Sequence, residues 1–581
     1  MKMVKSLILG SAAGLVVMSG AQAADLPVKA KAVEYVRICS LYGAGFFYIP
    51  GTDTCIKLGG YLRAEVTVHG SNGNVPFISG DGGMQDRYVN QYNDLARMAV
   101  TVDTRTATEY GVVRTFGQFD VTMANSTSSS IGTQSTTNTL AFNAQGTPQY
   151  VGGGATTAEF LFIQFAGFTF GKSASAYSTP WHGFPGNNTA YLPGGYDTVT
   201  GVNNVQYQAQ FGNGVSATIG IDDSSSSGYN RTQIFNANLL PSVVGNTTVN
   251  NSAAGVAQTT ATQLNGNLGL YAAPSGLVTG NGTAYAGAFV PDFTGNIRVD
   301  QAWGMFQLSG AVHAVTPSYW ATSNTVNAST LLGGSNQVNI IGVGHPDTKF
   351  GGAVNAALQI KNIPTGVGDD IKVEGSWGIG ATKYIIGTAT QLGGSFYMTK
   401  GGPTTAGTIA VGAITDGIFG GLATPFQSGV QLTRGWGFRG AYNHNWDPNW
   451  STSLFGGIAN ISYNQTAKDL WCMAYGSTLA NGTPVLFNGA RVGGAPATPV
   501  ANYSCDPGFT VSEIGLVTRW TPVKNLTFSS EVMYTYLKTN MTGIASGTTS
   551  SAFPQPGGAF AQWQYGNVGT ASVNFRAQRN F

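Results

Sequence analysis

Charge is what this sequence has least of. Only 9% of its 581 residues are Asp, Glu, Lys or Arg, against about 25% in an ordinary soluble domain. A soluble protein so poor in charge tends to associate. Long apolar runs are also missing. Beyond residue 23 no stretch reaches the ~20 residues that a spanning helix needs, which excludes a helical membrane protein. Cysteine and histidine are rare, 4 and 5 residues. His69, His182, His313, His345 and His444 are scattered, and neither Cys-x-x-Cys nor His-Glu-x-x-His occurs. No metal or cofactor is therefore expected. No Gly-x-Ser-x-Gly elbow or phosphate-binding Gly-rich loop occurs either, so no enzyme is expected. Asp222 and Asp223 are adjacent acids, but sequence neighbours rarely converge on one glycosidic bond.

What is present is glycine, 82 residues, with 11% aromatics, arranged with a period of two. The segment 568–581 puts Ala571, Val573 and Phe575 on one face and Ser572, Asn574, Arg576, Gln578 and Asn580 on the other. That alternation describes a strand with one apolar and one polar side. Phe581 supplies the interfacial aromatic of a membrane strand and is expected to be an assembly signal. Arg579, on the apolar side, sits near enough the end to snorkel. At the other terminus, Lys2 and Lys5 precede an apolar run from Leu7 to Met18 and then Ala21-Gln22-Ala23. This is the layout of a secretory signal peptide, 1–23, with cleavage before Ala24. Its two lysines removed, 26 basic residues face 26 acidic ones. A neutral balance gives no reason to expect a nucleic-acid partner.

Sixteen candidate strands follow: 56–69, 93–105, 109–123, 158–166, 168–173, 203–211, 214–222, 291–300, 304–315, 348–361, 370–383, 433–446, 449–463, 509–520, 525–538 and 568–581. The gaps alternate. Gly212-Asn213-Gly214, Asp447-Pro448-Asn449 and Thr521-Pro522-Val523-Lys524 are short, whereas 223–290, 384–432 and 464–508 are long. A transmembrane antiparallel β-barrel, short periplasmic turns at one rim and long extracellular loops at the other, produces this alternation. It is compatible with lipid because a closed sheet pairs every backbone group internally. The fold class is thus all-β. A secreted, all-β carbohydrate-binding or glycan-degrading protein shares the composition but has no reason for the alternating gaps, and a barrel that is structural or adhesive through its loops stays open.

The run Ala24-Asp25-Leu26-Pro27-Val28-Lys29-Ala30, then Val36-Arg37-Ile38-Cys39 and Gly43-Ala44-Gly45-Phe46-Phe47-Tyr48-Ile49-Pro50-Gly51-Thr52-Asp53-Thr54-Cys55-Ile56-Lys57-Leu58-Gly59-Gly60-Tyr61, closely resembles the alphaproteobacterial, rhizobial-type general porin family. The resemblance implies a sixteen-stranded barrel, a homotrimer in the cell outer membrane among its lipids and lipopolysaccharide, and passive diffusion of small hydrophilic solutes. Residues 24–55 would form an N-terminal segment and 56–581 the pore. The chain is longer than the family leads one to expect, with the excess assigned to 124–157, 223–290 and 384–432. Four cysteines allow three pairings. Pairing within each local segment, Cys39 with Cys55 and Cys472 with Cys505, avoids joining distant segments, and an oxidising periplasm permits it.

If the apolar faces meet lipid, the opposite faces line water. Lys57, Arg63 and Glu65 then point inward, as do Arg97, Asp103 and Arg105, and Arg114, Gln118 and Asp120. Arg439, Glu513, Arg519, Glu531 and Arg576 follow from the C-terminal half. Arg63, Arg97, Arg114, Arg439 and Arg576 outnumber nearby acids, which predicts a basic wall. Porins set such a wall against a loop folded into the lumen, and the field between them tests permeant charge. The constriction loop is expected at about 174–201. It carries Tyr177, Trp181, His182, Phe184, Tyr191 and Tyr196, with Asp197 its only acid. That departure from an acidic loop predicts a weakly selective or anion-favouring pore. The aromatics either narrow the passage, stack on sugar rings, or pack the loop against the wall.

Overall fold

The computed structural model describes residues 37–69, 92–124, 155–181, 183–187, 192–195, 200–224, 232–237, 249–251, 256–258, 284–318, 320, 344–386, 395–400, 407–420, 428–476, 485–487, 490–492, 504, 506–542, 544–546 and 562–581. The signal segment 1–23, most of 124–157, His182, Tyr191, Tyr196, Asp197 and Cys505 lie outside them, as does the Cys472 side chain.

Sixteen antiparallel strands make the barrel sheet, which the two-residue strand Phe47–Tyr48 joins by pairing with Cys55 and Ile56. They are β1 (Thr54–Val68), β2 (Tyr92–Thr108), β3 (Gly111–Ala124), β4 (Ala155–Phe165), β5 (Phe168–Ser173), β6 (Val202–Gly212), β7 (Val215–Asp222) and β8 (Asp292–Gln301). The second half comprises β9 (Gly304–Val315), β10 (Lys349–Lys361), β11 (Asp370–Ile379), β12 (Arg434–Asn445), β13 (Trp450–Ser462), β14 (Phe509–Val523), β15 (Leu526–Thr539) and β16 (Val568–Asn580). Each pairs with the next, and β16 pairs back onto β1 with Tyr61 opposite Asn580 and Val68 opposite Val573. The sheet therefore closes into a barrel and has no free edge. All sixteen expected strands are present. The expected 370–383 is cut short because the chain turns into a 3₁₀ segment at Thr382–Tyr384. The long segment 464–508 contains a helix, Gln465–Gly476, that the period-two reading did not find. Its start is capped by Asn464 Oδ1, which accepts from the Ala467 N–H at 2.8 Å.

Burial follows the alternation, inverted relative to a soluble protein. Exposed positions include Leu58, Leu62 and Val66 on β1, Phe306, Leu308 and Val312 on β9, and Ile514 and Leu516 on β14. Buried positions include Glu65, Asp120, Gln307, Glu374, Glu513 and Asn574. Apolar side chains outside and polar ones inside suit hydrocarbon around the wall. Short turns lie at one end. At Asn213-Gly214 both residues adopt left-handed angles, φ 48° and 73°, the conformation an Asn-Gly hairpin requires. Arg579 reaches the turn between β14 and β15, donating to the Lys524 carbonyl at 2.5 Å.

Residues up to Ile56 and residues from Lys57 to Phe581 form two compact units. In the first, Cys39 and Cys55 are disulfide-bonded, as local pairing predicts. Both sulfurs are buried with Phe46, and Tyr42 and Tyr48 pack around them. In the second, Gly60 exchanges backbone hydrogen bonds with Phe581, at 3.2 and 3.0 Å. Gly60 has φ 152°, and a Cβ there would collide with the Ala99 carbonyl of β2. Only glycine fits where the backbones come so close.

Candidate functional site

The chain leaves the wall at Ser173 and rejoins it at Val202. Between them it crosses the inside of the barrel. Ser175 Oγ donates to Asp222 of β7 at 2.5 Å, and the Ala176 carbonyl accepts from Asn296 of β8 at 2.5 Å. The Ser178 carbonyl accepts from Gln307 of β9 at 2.8 Å. Farther along, the Pro185 carbonyl accepts from Arg519 of β14. Asn187 donates to Asn574 of β16 at 3.0 Å and accepts from Ser529 of β15 at 3.1 Å. The Leu192 carbonyl then accepts from Arg439 of β12 at 3.4 Å, and the Gly194 carbonyl from Ser376 of β11 at 3.0 Å. Every wall partner is on the polar, inward side of its strand, so the loop is folded into the lumen.

The wall is shaped to receive it. A Cβ on Gly437 would run into Gly194, and one on Gly457 into the Pro193 carbonyl. The glycines at these strand positions are explained by backbone passing close to backbone. Next to them Leu192 is buried among Ala441, Phe455, Val517 and Met533, with Phe184 packed alongside. Tyr177 is fully buried with Ala311, Ala353, Ala381 and Tyr384, its ring 4.7 Å from that of Tyr384. Of the three readings of the loop aromatics, Tyr177 takes the packing one. Trp181 is half-buried and its carbonyl accepts from the Phe184 N–H at 3.2 Å.

The arginines do line the inner face, but they bring their own counter-charges. Arg97 Nη1 lies 2.9 Å from Asp120 and 3.4 Å from Glu159, all three buried. Arg439 Nε lies 2.7 Å from Glu374, and Arg576 Nε 2.6 Å from Glu65. Arg63 stands over the Tyr61 ring at 5.7 Å. Asp103 takes both Arg105 and Arg114, each 3.0 Å from Oδ2. The last two reach water, with 29% and 28% of their side chains exposed. The expectation that basic groups outnumber nearby acids is thus corrected at Arg97 and Arg439, whose partners Glu159 and Glu374 the sequence reading did not single out. Glu374 holds an inward position of β11 and was legible from alternation. Glu159 was not, because β4 bulges between its pairings of Gln118 with Phe160 and Phe119 with Ala158, and a bulge re-aims the extra residue.

At the long-loop end, loop segments interlock. Gln233–Asn236 pairs in parallel with Thr415–Phe419, which pairs antiparallel with Gln431–Leu432. They enclose an apolar cluster of Ile234, Ala284, Tyr285, Val315, Phe419 and Val430. Beneath it lies a buried polar group: Asp222, Asp292, His313, Lys383 and Asp416. Burial pushes the Lys383 ammonium down to about 7, against the pull of Asp222, Asp292 and Asp416.

The model of a family described as "Porin subfamily" matches residues 25–555. The chain is 36% identical over 250 residues to porin Omp2b of Brucella abortus, and 34% identical over 250 residues to that of Brucella canis. Each match covers 42% of this chain and spans 61% of the Brucella protein. Among solved structures, the outer membrane channel DcaP of Acinetobacter baumannii superposes with a TM-score of 0.45 at 12% identity, covering 92% of this chain and 99% of that one. An anion-selective porin from Comamonas acidovorans superposes with a TM-score of 0.39 at 7% identity, covering 91% and 100%.

Proposed function

The chain belongs to the porin subfamily, and on that premise we propose that it forms a passive, water-filled channel through the outer membrane for small hydrophilic solutes and ions. One observation carries the reading: a closed sixteen-strand wall, apolar outside and polar inside, is crossed internally by its own loop. The mechanism has no chemical step. Polar inner faces keep water continuous, and solutes move down their gradients past the loop between β5 and β6. The native assembly in this reading is a homotrimer embedded in outer-membrane lipid and lipopolysaccharide.

Charge selection is weak. Arg97, Arg439 and Arg576 are tied to carboxylates within the wall, so their fields largely cancel at a distance. Arg105 and Arg114 share the single carboxylate of Asp103 and reach water, which tilts the preference toward anions. Conductance of the detergent-extracted protein in a planar bilayer under a salt gradient tests this. Stepwise openings grouped in threes, with a reversal potential near zero or modestly on the anion side, are expected. A folded barrel with no conductance would overturn the channel.

A further inference from the structure

At the long-loop end, Tyr285 and Tyr384 join Asp292, His313 and Asp416 of the buried group in one hydrogen-bonded network. Asp292 is the first residue of β8 and His313 lies on β9. Tyr285 belongs to the segment before β8, and Tyr384 and Asp416 to the segments between β11 and β12. His313 Nδ1 is 2.6 Å from Asp292 Oδ1, and its Nε2 is 2.9 Å from the Tyr285 hydroxyl. Tyr285 donates to Asp416 Oδ2 at 2.8 Å.

These contacts determine where the protons are. Asp416 receives the Thr382 N–H at 2.8 Å, the Thr382 hydroxyl at 2.9 Å, the Thr232 N–H at 3.0 Å and the Tyr285 hydroxyl. Donors thus face both oxygens of this carboxylate. Tyr285 has one hydroxyl hydrogen and spends it on Asp416, so toward His313 Nε2 it can only accept. Nδ1 faces Asp292, whose other oxygen accepts from the Tyr384 hydroxyl at 2.7 Å. An imidazolium that donates from both ring nitrogens satisfies all of these contacts, with Asp416 Oδ2 3.7 Å from Nε2. Lys383 faces the same carboxylates together with Asp222. Its titration works in the opposite sense. A buried ammonium costs the fold below about 7, and the cost is relieved as pH rises above it.

The network also holds the crossing loop. Ser175 Oγ donates to Asp222, and Tyr177 packs on Tyr384, whose hydroxyl donates to Asp292. We propose that doubly protonated His313 is a latch. It fastens Tyr285 and Asp416 of the loops to Asp292 of the wall, so that loss of one ring proton loosens both the interlocked segments and the stem of the crossing loop. One of its two hydrogen bonds cannot survive deprotonation, because Asp292 and the Tyr285 oxygen offer acceptors only. In the channel this makes closing depend on pH. That consequence rests on the pore reading; the latch itself does not.

Hydrogen exchange decides it. The Thr232 and Thr382 amides, which donate to Asp416, are followed in the detergent-solubilised full chain. Their protection, corrected for intrinsic exchange, is expected to fall about ten-fold between about pH 6 and about pH 9, the scale of losing one charge-assisted hydrogen bond. In His313→Gln it is expected to be low at both values, while the Gly60 and Phe581 amides at the seam between β1 and β16 stay protected. Tyr285→Phe, which removes only the bridging oxygen, is expected to act like His313→Gln and covers the case in which that variant does not fold. Lys383→Gln is expected to keep the response. Unchanged protection in the wild type would overturn the latch. So would a response that persists in His313→Gln or Tyr285→Phe, or one that vanishes in Lys383→Gln. In bilayers the same step should appear as about a ten-fold rise in the closing rate. Absent conductance would count against the pore, and exchange would still decide the latch.

Discussion

Asn187 in the crossing loop donates to Asn574 on the last strand at 3.0 Å, joining positions 387 residues apart in sequence. Asn574 passes the chain of hydrogen bonds on to Thr67 of β1 at 2.7 Å. The loop is thereby pinned beside the seam where the barrel closes. Its near end is held at β7 to β9 and its return limb at β11 and β12, so it is fixed on three sides of the lumen.

Asn187→Ala should free the far end of the loop while leaving the barrel intact. Losing a buried hydrogen bond of this kind costs about 1–2 kcal/mol. Single-channel records should show more open-state noise, with the heat stability of the barrel little changed. Records as quiet as those of the wild type would show that this contact does not hold the loop.

Gly437→Val should displace the loop from the wall, because even a Cβ there meets Gly194. Overpacking of this sort costs about 1–3 kcal/mol. Conductance should change while β-sheet content by circular dichroism does not. Gly429, where a Cβ has open space around it, provides the control, and Gly429→Ala should leave conductance unaltered.

Charge reversal should separate the two kinds of arginine. Arg105→Glu or Arg114→Glu should move the reversal potential toward cations with little loss of stability, since both side chains reach water. Arg97→Gln should instead destabilise the barrel, by about 3–5 kcal/mol, because Asp120 and Glu159 would be left buried without their partner. Bilayer reversal potentials and heat-modification on gels give the two readouts.

Acid should loosen the turn between β10 and β11 before the barrel unfolds. Burial pushes the Asp369 carboxyl up, but hydrogen bonds from Thr365, the Asn445 N–H and His444 outweigh it and hold the group well below its ordinary value. A depressed carboxylate contributes stability above its unfolded value of about 4, and that contribution fades as pH falls below it. Asp369→Asn should therefore lower the thermal midpoint at neutral pH and by progressively less as pH falls below about 4. An equal deficit at every pH would mean that the charge is not what matters.

The barrel was written locally. Each strand declares itself by its own alternation, and each turn by its own Asn, Gly or Pro, so sixteen strands and their two-sidedness can be read without knowing any partner. Closure follows, because exposed edges cannot remain in lipid. The disulfide at Cys39 and Cys55 was likewise a matter of short separation. The inner site is different in kind. The partnership of Arg439 with Glu374, the pocket for Tyr177, and the meeting of His313 with Asp292 and Asp416 join residues on different strands and loops, and no local period encodes such pairs. Glu159 faces inward only because a bulge breaks the period. Parity assigned arginines to the lumen, but only the folded chain decided which of them reach water, since that depends on which carboxylates and which loop arrive beside them.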